Sequence, residues 1–141
     1  MDAHLLTYLT NSWMLIAVAL TSGAMLLYPV IMGVKGNPGQ LSTLEATRMI
    51  NQKDAILIDV RDQGDYAKRH IANAKNFPEK VLAERKGELD KLKGAPLIVV
   101  CGTGLQAPKA AEALRKLGFG DVFTLQGGQS AWSAAGLPMA K

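Results

Sequence analysis

Apolar and polar positions fall in blocks along this chain, and the blocks change character near residue 35. From Trp13 to Val34 there are 22 residues without a charged side chain. At about 1.5 Å per residue a helix of that length reaches roughly 33 Å, enough for a hydrocarbon core of about 30 Å. The pattern predicts a short tail over 1–11, one transmembrane helix over 12–34 and a linker over 35–40. Gly36, Pro38 and Gly39 in that linker oppose a continuing helix. A cleaved signal peptide would need a basic n-region, yet the only charged side chain before Trp13 is Asp2. The retained helix is therefore the expectation.

Over 41–141 the pattern switches between short aliphatic runs and amphipathic stretches. Ser42-Thr43-Leu44-Glu45 has the form of a capping box and opens a helix to about Asn51. Ala55–Val60 is a buried strand, Asp62–Arg69 a short helix, and Lys75–Phe77 a brief strand stopped by Pro78. Glu79–Lys93 reads as helical with a break at Gly87, and Leu97–Cys101 as the central strand. Pro108 and Gly118 bracket the next helix, Val122–Leu125 is a strand, and Gly127-Gly128 leads into a last helix through Trp132. Repeated βα units of this size imply an α/β domain with a mostly parallel sheet of about five strands and helices on both faces. In such sheets, sites form at the C-terminal ends of strands.

Charge adds little to this. All 16 basic residues follow the apolar run together with 11 of the 12 acids, which gives that part a net charge of +5. The signs alternate as on a solvated helical surface, and no basic block or aromatic–basic interleaving speaks for nucleic acid. Lys35 and Arg48 lie after the apolar run and no Lys or Arg precedes it, so the positive-inside rule places the domain in the cytoplasm. A single cysteine cannot form an internal disulfide, which fits a reducing compartment.

That cysteine carries the candidate chemistry. In Cys101-Gly102-Thr103-Gly104-Leu105-Gln106 it stands where a buried strand stops and a helix is about to start. Backbone N–H groups of a glycine-rich turn and a helix N-terminus would point at its sulfur, an arrangement that favours a thiolate and holds an anion beside it. A buried structural cysteine is the plain alternative. The segment also matches a dinucleotide fingerprint formally, but it falls late in the chain, and Asp121 precedes the next strand instead of following it. A cysteine phosphatase would need an arginine where Ala107 stands. His70 is read as closing a turn and Trp132 as core. Asp59 and Arg61 could line the site, since Asp59 ends a strand, but a structural role is favoured because buried charges at such places are usually paired. With His4 and His70 far apart and one cysteine, neither metal nor cofactor is implied.

Three stretches together resemble the rhodanese-like domains. Leu57-Ile58-Asp59-Val60-Arg61, Asp65-Tyr66, His70-Ile71, Ala74, Asn76 and Pro78 are similar to the family's first signature. Leu125-Gln126-Gly127-Gly128, Ala131-Trp132 and Gly136-Leu137-Pro138 are similar to its C-terminal one, and the strand-end cysteine lies between them. The resemblance covers about residues 41–138. It implies a rhodanese-like fold and a sulfurtransferase in which Cys101 carries sulfane sulfur as a persulfide. Gly102, Thr103, Gly104, Leu105 and Gln106 would form the substrate cradle. It further implies a small sulfur donor or a protein persulfide donor, and a thiol acceptor. Active family members commonly carry a cation in this loop, and here those places hold Gly102 and Gln106. The other reading is a catalytically weak interaction module that binds a membrane-protein partner.

Overall fold

Four consecutive aliphatic side chains with no polar face require a strand covered on both sides, and the strand Leu97–Val100 is completely buried. In the computed structural model, which describes residues 2–31 and 39–141, it is the centre of a parallel sheet. In chain order the C-terminal unit comprises β1 (Gln40–Leu41), α3 (Thr43–Lys53), β2 (Ile56–Asp59), α4 (Gln63–Lys68), β3 (His70–Ile71) and β4 (Lys75–Asn76). A 3-10 turn (Glu79–Val81), α5 (Lys86–Asp90), β5 (Leu97–Val100), α6 (Ala107–Lys116), β6 (Val122–Leu125), α7 (Gly128–Ala134) and β7 (Met139–Ala140) follow. The helices α1 (Ala3–Asn11) and α2 (Trp13–Ile31) form a separate N-terminal unit.

The main sheet has the order β1-β6-β5-β2-β4, with every pairing parallel. Ile58 pairs with Val99, and Val99 with Thr124. The two-residue period of a strand divides the apolar side chains between two layers. Ile58, Leu97 and Val99 pack with Leu89, Ala110 and Leu114 on one face. Leu57, Ile98 and Val100 pack with Ala46, Leu125 and Trp132 on the other. Because β2, β5 and β6 run the same way, the turns after Asp59, Val100 and Leu125 emerge at one edge, and the site is built there.

The five-stranded parallel sheet agrees with the sequence reading, and so does the capping box. Ser42 Oγ accepts the Glu45 N–H at 3.2 Å, and the Glu45 carboxylate accepts the Ser42 N–H at 2.8 Å. The Ser42 backbone N–H, and then its hydroxyl, hold the Glu45 carboxyl below its usual range. The box is therefore complete at neutral pH and is lost as acid protonates that carboxylate.

Other elements differ. Gln40, read as the last linker residue, pairs with Thr124 in β1, and the linker positions 35–38 lie outside the described residues. The helix expected over 79–93 is a 3-10 turn followed by the short α5, with Gly87 inside α5 and the break before it. Arg85 accounts for that break. Its Nη1 donates to the Asn76 carbonyl at 3.0 Å and its guanidinium lies 4.3 Å over the Phe77 ring, contacts that hold the backbone off a helical path. β3 and β7 form an unexpected antiparallel ribbon, pairing His70 with Ala140.

The N-terminal unit also departs from expectation. The tail over 1–11 is mostly helical, and Ala3–Asn11 meets Trp13–Tyr28 at a bend of 69°. Among the described residues no single helix is long and apolar enough to cross a membrane, although the bent pair meets the length and composition together. The apolar stretch that pairs with Ala3–Asn11 is Trp13–Tyr28, shorter than the roughly 20 residues a straight span needs. Positions 32–34, the rest of the expected span, lie outside the described residues.

Candidate active site

Cys101 follows β5 directly, and its side chain belongs to the core layer that faces α6. Only 1% of the residue is exposed, yet it lines a cavity of about 440 Å³ at the C-terminal edge of the sheet. The Gly104 N–H donates to Cys101 Sγ at 3.0 Å. A donor in that position stabilises negative charge on the sulfur, and the loop runs straight into the N-terminus of α6 at Ala107, whose dipole acts in the same sense.

The loop keeps this shape because its carbonyl groups are held from behind. The Cys101 carbonyl accepts the Gln129 N–H at 2.8 Å. The Gly102 carbonyl accepts the Ser130 N–H at 3.1 Å and its hydroxyl at 3.0 Å. Contact this close requires glycine at 128. A Cβ there would meet the Cys101 carbonyl oxygen, lie 2.7 Å from the Gly104 nitrogen, and sit on a backbone with φ of +59°. Gly104, with φ of +89°, packs in turn against the Gly127 nitrogen.

Of the five residues expected to form the cradle, Gly104 supplies the N–H seen on the sulfur, while Gly102, Thr103, Leu105 and Gln106 line the cavity. Leu105 is 85% exposed at its rim. On the opposite wall Arg61, which the sequence offered as a possible lining residue, is joined by Asp62, Asp65, Glu79 and Lys80 from the turn after β2, from α4 and from the 3-10 turn, and these four sequence reasoning missed. Arg61 and Asp65 stand in the first signature stretch, whereas Asp62, Glu79 and Lys80 carry no chemical motif. Gln129 and Ser130 were likewise missed, although the preceding glycine pair marks the place where backbone meets backbone.

Asp59 and Arg61 pair as the sequence suggested. Asp59 is 1% exposed and its carboxylate accepts the Arg61 Nε–H at 3.0 Å and the Nη2–H at 2.8 Å. Arg61 Nη2 also donates to the Arg69 carbonyl at 2.7 Å, and the Asn76 amide donates to the Asp59 and Arg61 carbonyls. Breaking a buried pair from one side commonly costs about 3–5 kcal/mol, so this network fixes one wall of the site. His70 stacks on Tyr66 with ring centroids 3.8 Å apart, its Nδ1 lies 2.9 Å from the Tyr66 carbonyl, and it does not line the cavity. Trp132 is buried with its Nε1–H on the Pro138 carbonyl.

Known proteins are similar to this chain in sequence and fold. Residues 42–135 match the rhodanese-like domain. The uncharacterized protein YibN of Escherichia coli is 44% identical over 98 residues, covering 69% of this chain and 68% of that protein. The thiosulfate sulfurtransferase GlpE of Coxiella burnetii is 38% identical over 95 residues, covering 67% of this chain and 87% of that enzyme. Among solved structures, the rhodanese-like domain of an Anabaena protein superposes with a TM-score of 0.65 at 28% identity, covering 72% of this chain and 78% of that one. A parallel sheet in this strand order, a single cysteine on the turn after its central strand and a match across 42–135 place this chain in the rhodanese-like domain family.

Proposed function

We propose that this chain is a sulfurtransferase that carries sulfane sulfur as a persulfide on Cys101. The observation that carries this reading is the Gly104 N–H on Cys101 Sγ at the floor of an open cavity. The named activity of the GlpE relatives supports it. In the first half-reaction the Cys101 thiolate attacks the outer sulfur of the donor. With thiosulfate the sulfur–sulfur bond breaks and sulfite leaves with its electron pair. In the second, a thiol or cyanide takes that sulfur and the electron pair of the broken bond returns to Cys101. The loop N–H groups stabilise negative charge in both steps.

Thiosulfate is a poor fit for this particular loop. Gly102 and Gln106 stand where a cation would meet the dianion, and a hydrogen bond to a charged group is worth roughly 1.5–3 kcal/mol. A Gln106→Arg variant should therefore raise kcat/KM for thiosulfate about tenfold, the lower end of that range because position 106 is exposed. Cyanide-dependent formation of thiocyanate by the full chain reads this out, and Cys101→Ala should form none. Thiocyanate at the wild-type rate from Cys101→Ala contradicts the reading. No product from thiosulfate or from a persulfide donor leaves the interaction module in its place.

The reading also places the N-terminal unit in a lipid bilayer, with the domain on the cytoplasmic side. It rests on the 22 uncharged residues, on the exposed side chains of Leu15, Leu20, Met25 and Leu26, and on Lys35 and Arg48 after the run. The chain should sediment with membranes through an alkaline wash, and protease should reach the domain only after cells are lysed. Recovery in the soluble fraction, or digestion before lysis, contradicts it.

A further inference from the structure

A second cavity, of about 520 Å³, adjoins the first across the cysteine loop. The two share Arg61, Gly102 and Thr103. Their charges differ. The first is lined by the carboxylates of Asp62, Asp65 and Glu79, facing Arg61 and Lys80. The second adds Arg69, Gln129 and Ser130, and no carboxylate lines it. Arg61 is neutralised by Asp59 at 2.8 Å, so the net charge of this cavity comes from Arg69. Among the described residues no carboxylate pairs with the Arg69 guanidinium. The Arg69 backbone is nonetheless fixed to the site, since its carbonyl accepts Arg61 Nη2–H at 2.7 Å and Gln129 Nε2–H at 3.2 Å. An exposed, unpaired cation thus stands on backbone tied to both walls of the loop.

We propose that this second cavity is the acceptor subsite, and that Arg69 selects a low-molecular-weight thiol bearing a carboxylate. The proposal rests on the sulfurtransferase reading and deepens it. The sulfonate oxygens of thiosulfate lie two bonds from the transferred sulfur, so they stay in the cavity that Cys101 lines together with Asp62, Asp65, Glu79, Arg61 and Lys80. A carboxylate several bonds from its thiol reaches instead toward the cation across the loop. The acceptor thiolate attacks the outer sulfur of the Cys101 persulfide. A new sulfur–sulfur bond forms as the bond to Sγ breaks, the electron pair returns to Sγ as a thiolate, and the acceptor leaves as a persulfide. The sulfane sulfur keeps its oxidation state, so no oxidant or reductant is consumed. Arg69 contributes by positioning and by charge attraction.

The test uses the full chain loaded to the Cys101 persulfide, with mercaptopropionate and its neutral amide as matched acceptors. The readout is the ratio of their transfer rates, corrected for thiolate fraction. The wild-type chain should prefer the carboxylate about three- to fivefold, the scale of an exposed ion pair. That preference should fade at about 0.5 M salt, where screening is short-ranged. It should vanish in Arg69→Gln, survive in Arg69→Lys and invert in Arg69→Glu. Equal rates in the wild type, or a preference untouched by Arg69→Glu, overturn the proposal. If no persulfide forms on Cys101 at all, the sulfurtransferase reading fails and takes this subsite with it. The two failures are distinguished by the mass of the loaded chain.

Discussion

Alanine at position 128 is expected to destabilise the domain by about 2–5 kcal/mol and to abolish sulfur transfer together with it. Two costs add. The backbone at Gly128 has φ of +59°, where an L side chain is strained by about 1–2 kcal/mol. The new Cβ would also meet main chain, namely the Cys101 carbonyl, the Gly104 nitrogen at 2.7 Å and the Gly102 carbonyl carbon at 3.0 Å. Backbone cannot rotate away as a side-chain tip can, so the loop must lift off α7. Doing so releases the Gln129 and Ser130 hydrogen bonds that hold it and moves the Gly104 N–H off the sulfur. Against a total stability of about 5–15 kcal/mol this is a large loss. Urea titration should show a lower midpoint at an unchanged slope. Gly102→Ala is the control for stability, because a Cβ there meets nothing within 4 Å. It should stay within about 1 kcal/mol of wild type. A Gly128→Ala chain as stable as Gly102→Ala would refute the close-approach argument.

The parts of this fold legible in sequence are those whose physics is local. Leu97 to Val100 declares a strand buried on both faces, and Ser42 with Glu45 declares a helix start, since each signal is complete within a few residues. β1, β3 and β7 carry two residues each, too few to show a period, and they exist because of partners far along the chain. Thr124 donates its N–H to the Gly39 carbonyl at 2.8 Å, which recruits Gln40 and Leu41 to the sheet edge. The segment after Pro78 misled for the reverse reason: its residues favour a helix, and the long-range contacts of Arg85 prevail over that preference. In the N-terminal unit composition announces apolar length but not the bend at Ser12, which depends on backbone angles that hydropathy does not encode.

The site divides in the same way. Cys101 and its glycines were legible because a strand-end cysteine before a helix is a recognisable sequence of residue types. The opposing wall was not. Asp62, Asp65, Glu79 and Lys80 look like ordinary surface charges until the turn after β2 is folded beside the loop. Their arrangement matters to chemistry, because the cavity over the thiol is not strongly positive. The loop has no cation at Gly102 or Gln106; Arg61 and Lys80 line the first cavity among three carboxylates, and Arg69 lines the second, where there is none. In the sequence Arg69 is read only as the end of a short helix.

The central claim, that Cys101 accepts a sulfur atom into a nest of loop amides, is tested most directly by intact mass. The full chain would be incubated with thiosulfate, and separately with a low-molecular-weight persulfide, then weighed before and after a reducing thiol. Because the chain has one cysteine, any thiol-borne sulfur is assigned without digestion. The wild-type chain should gain the mass of one sulfur atom and lose it on reduction, and Cys101→Ala should gain nothing. A wild-type chain left unchanged by both donors, or an equal gain on Cys101→Ala, would contradict the account.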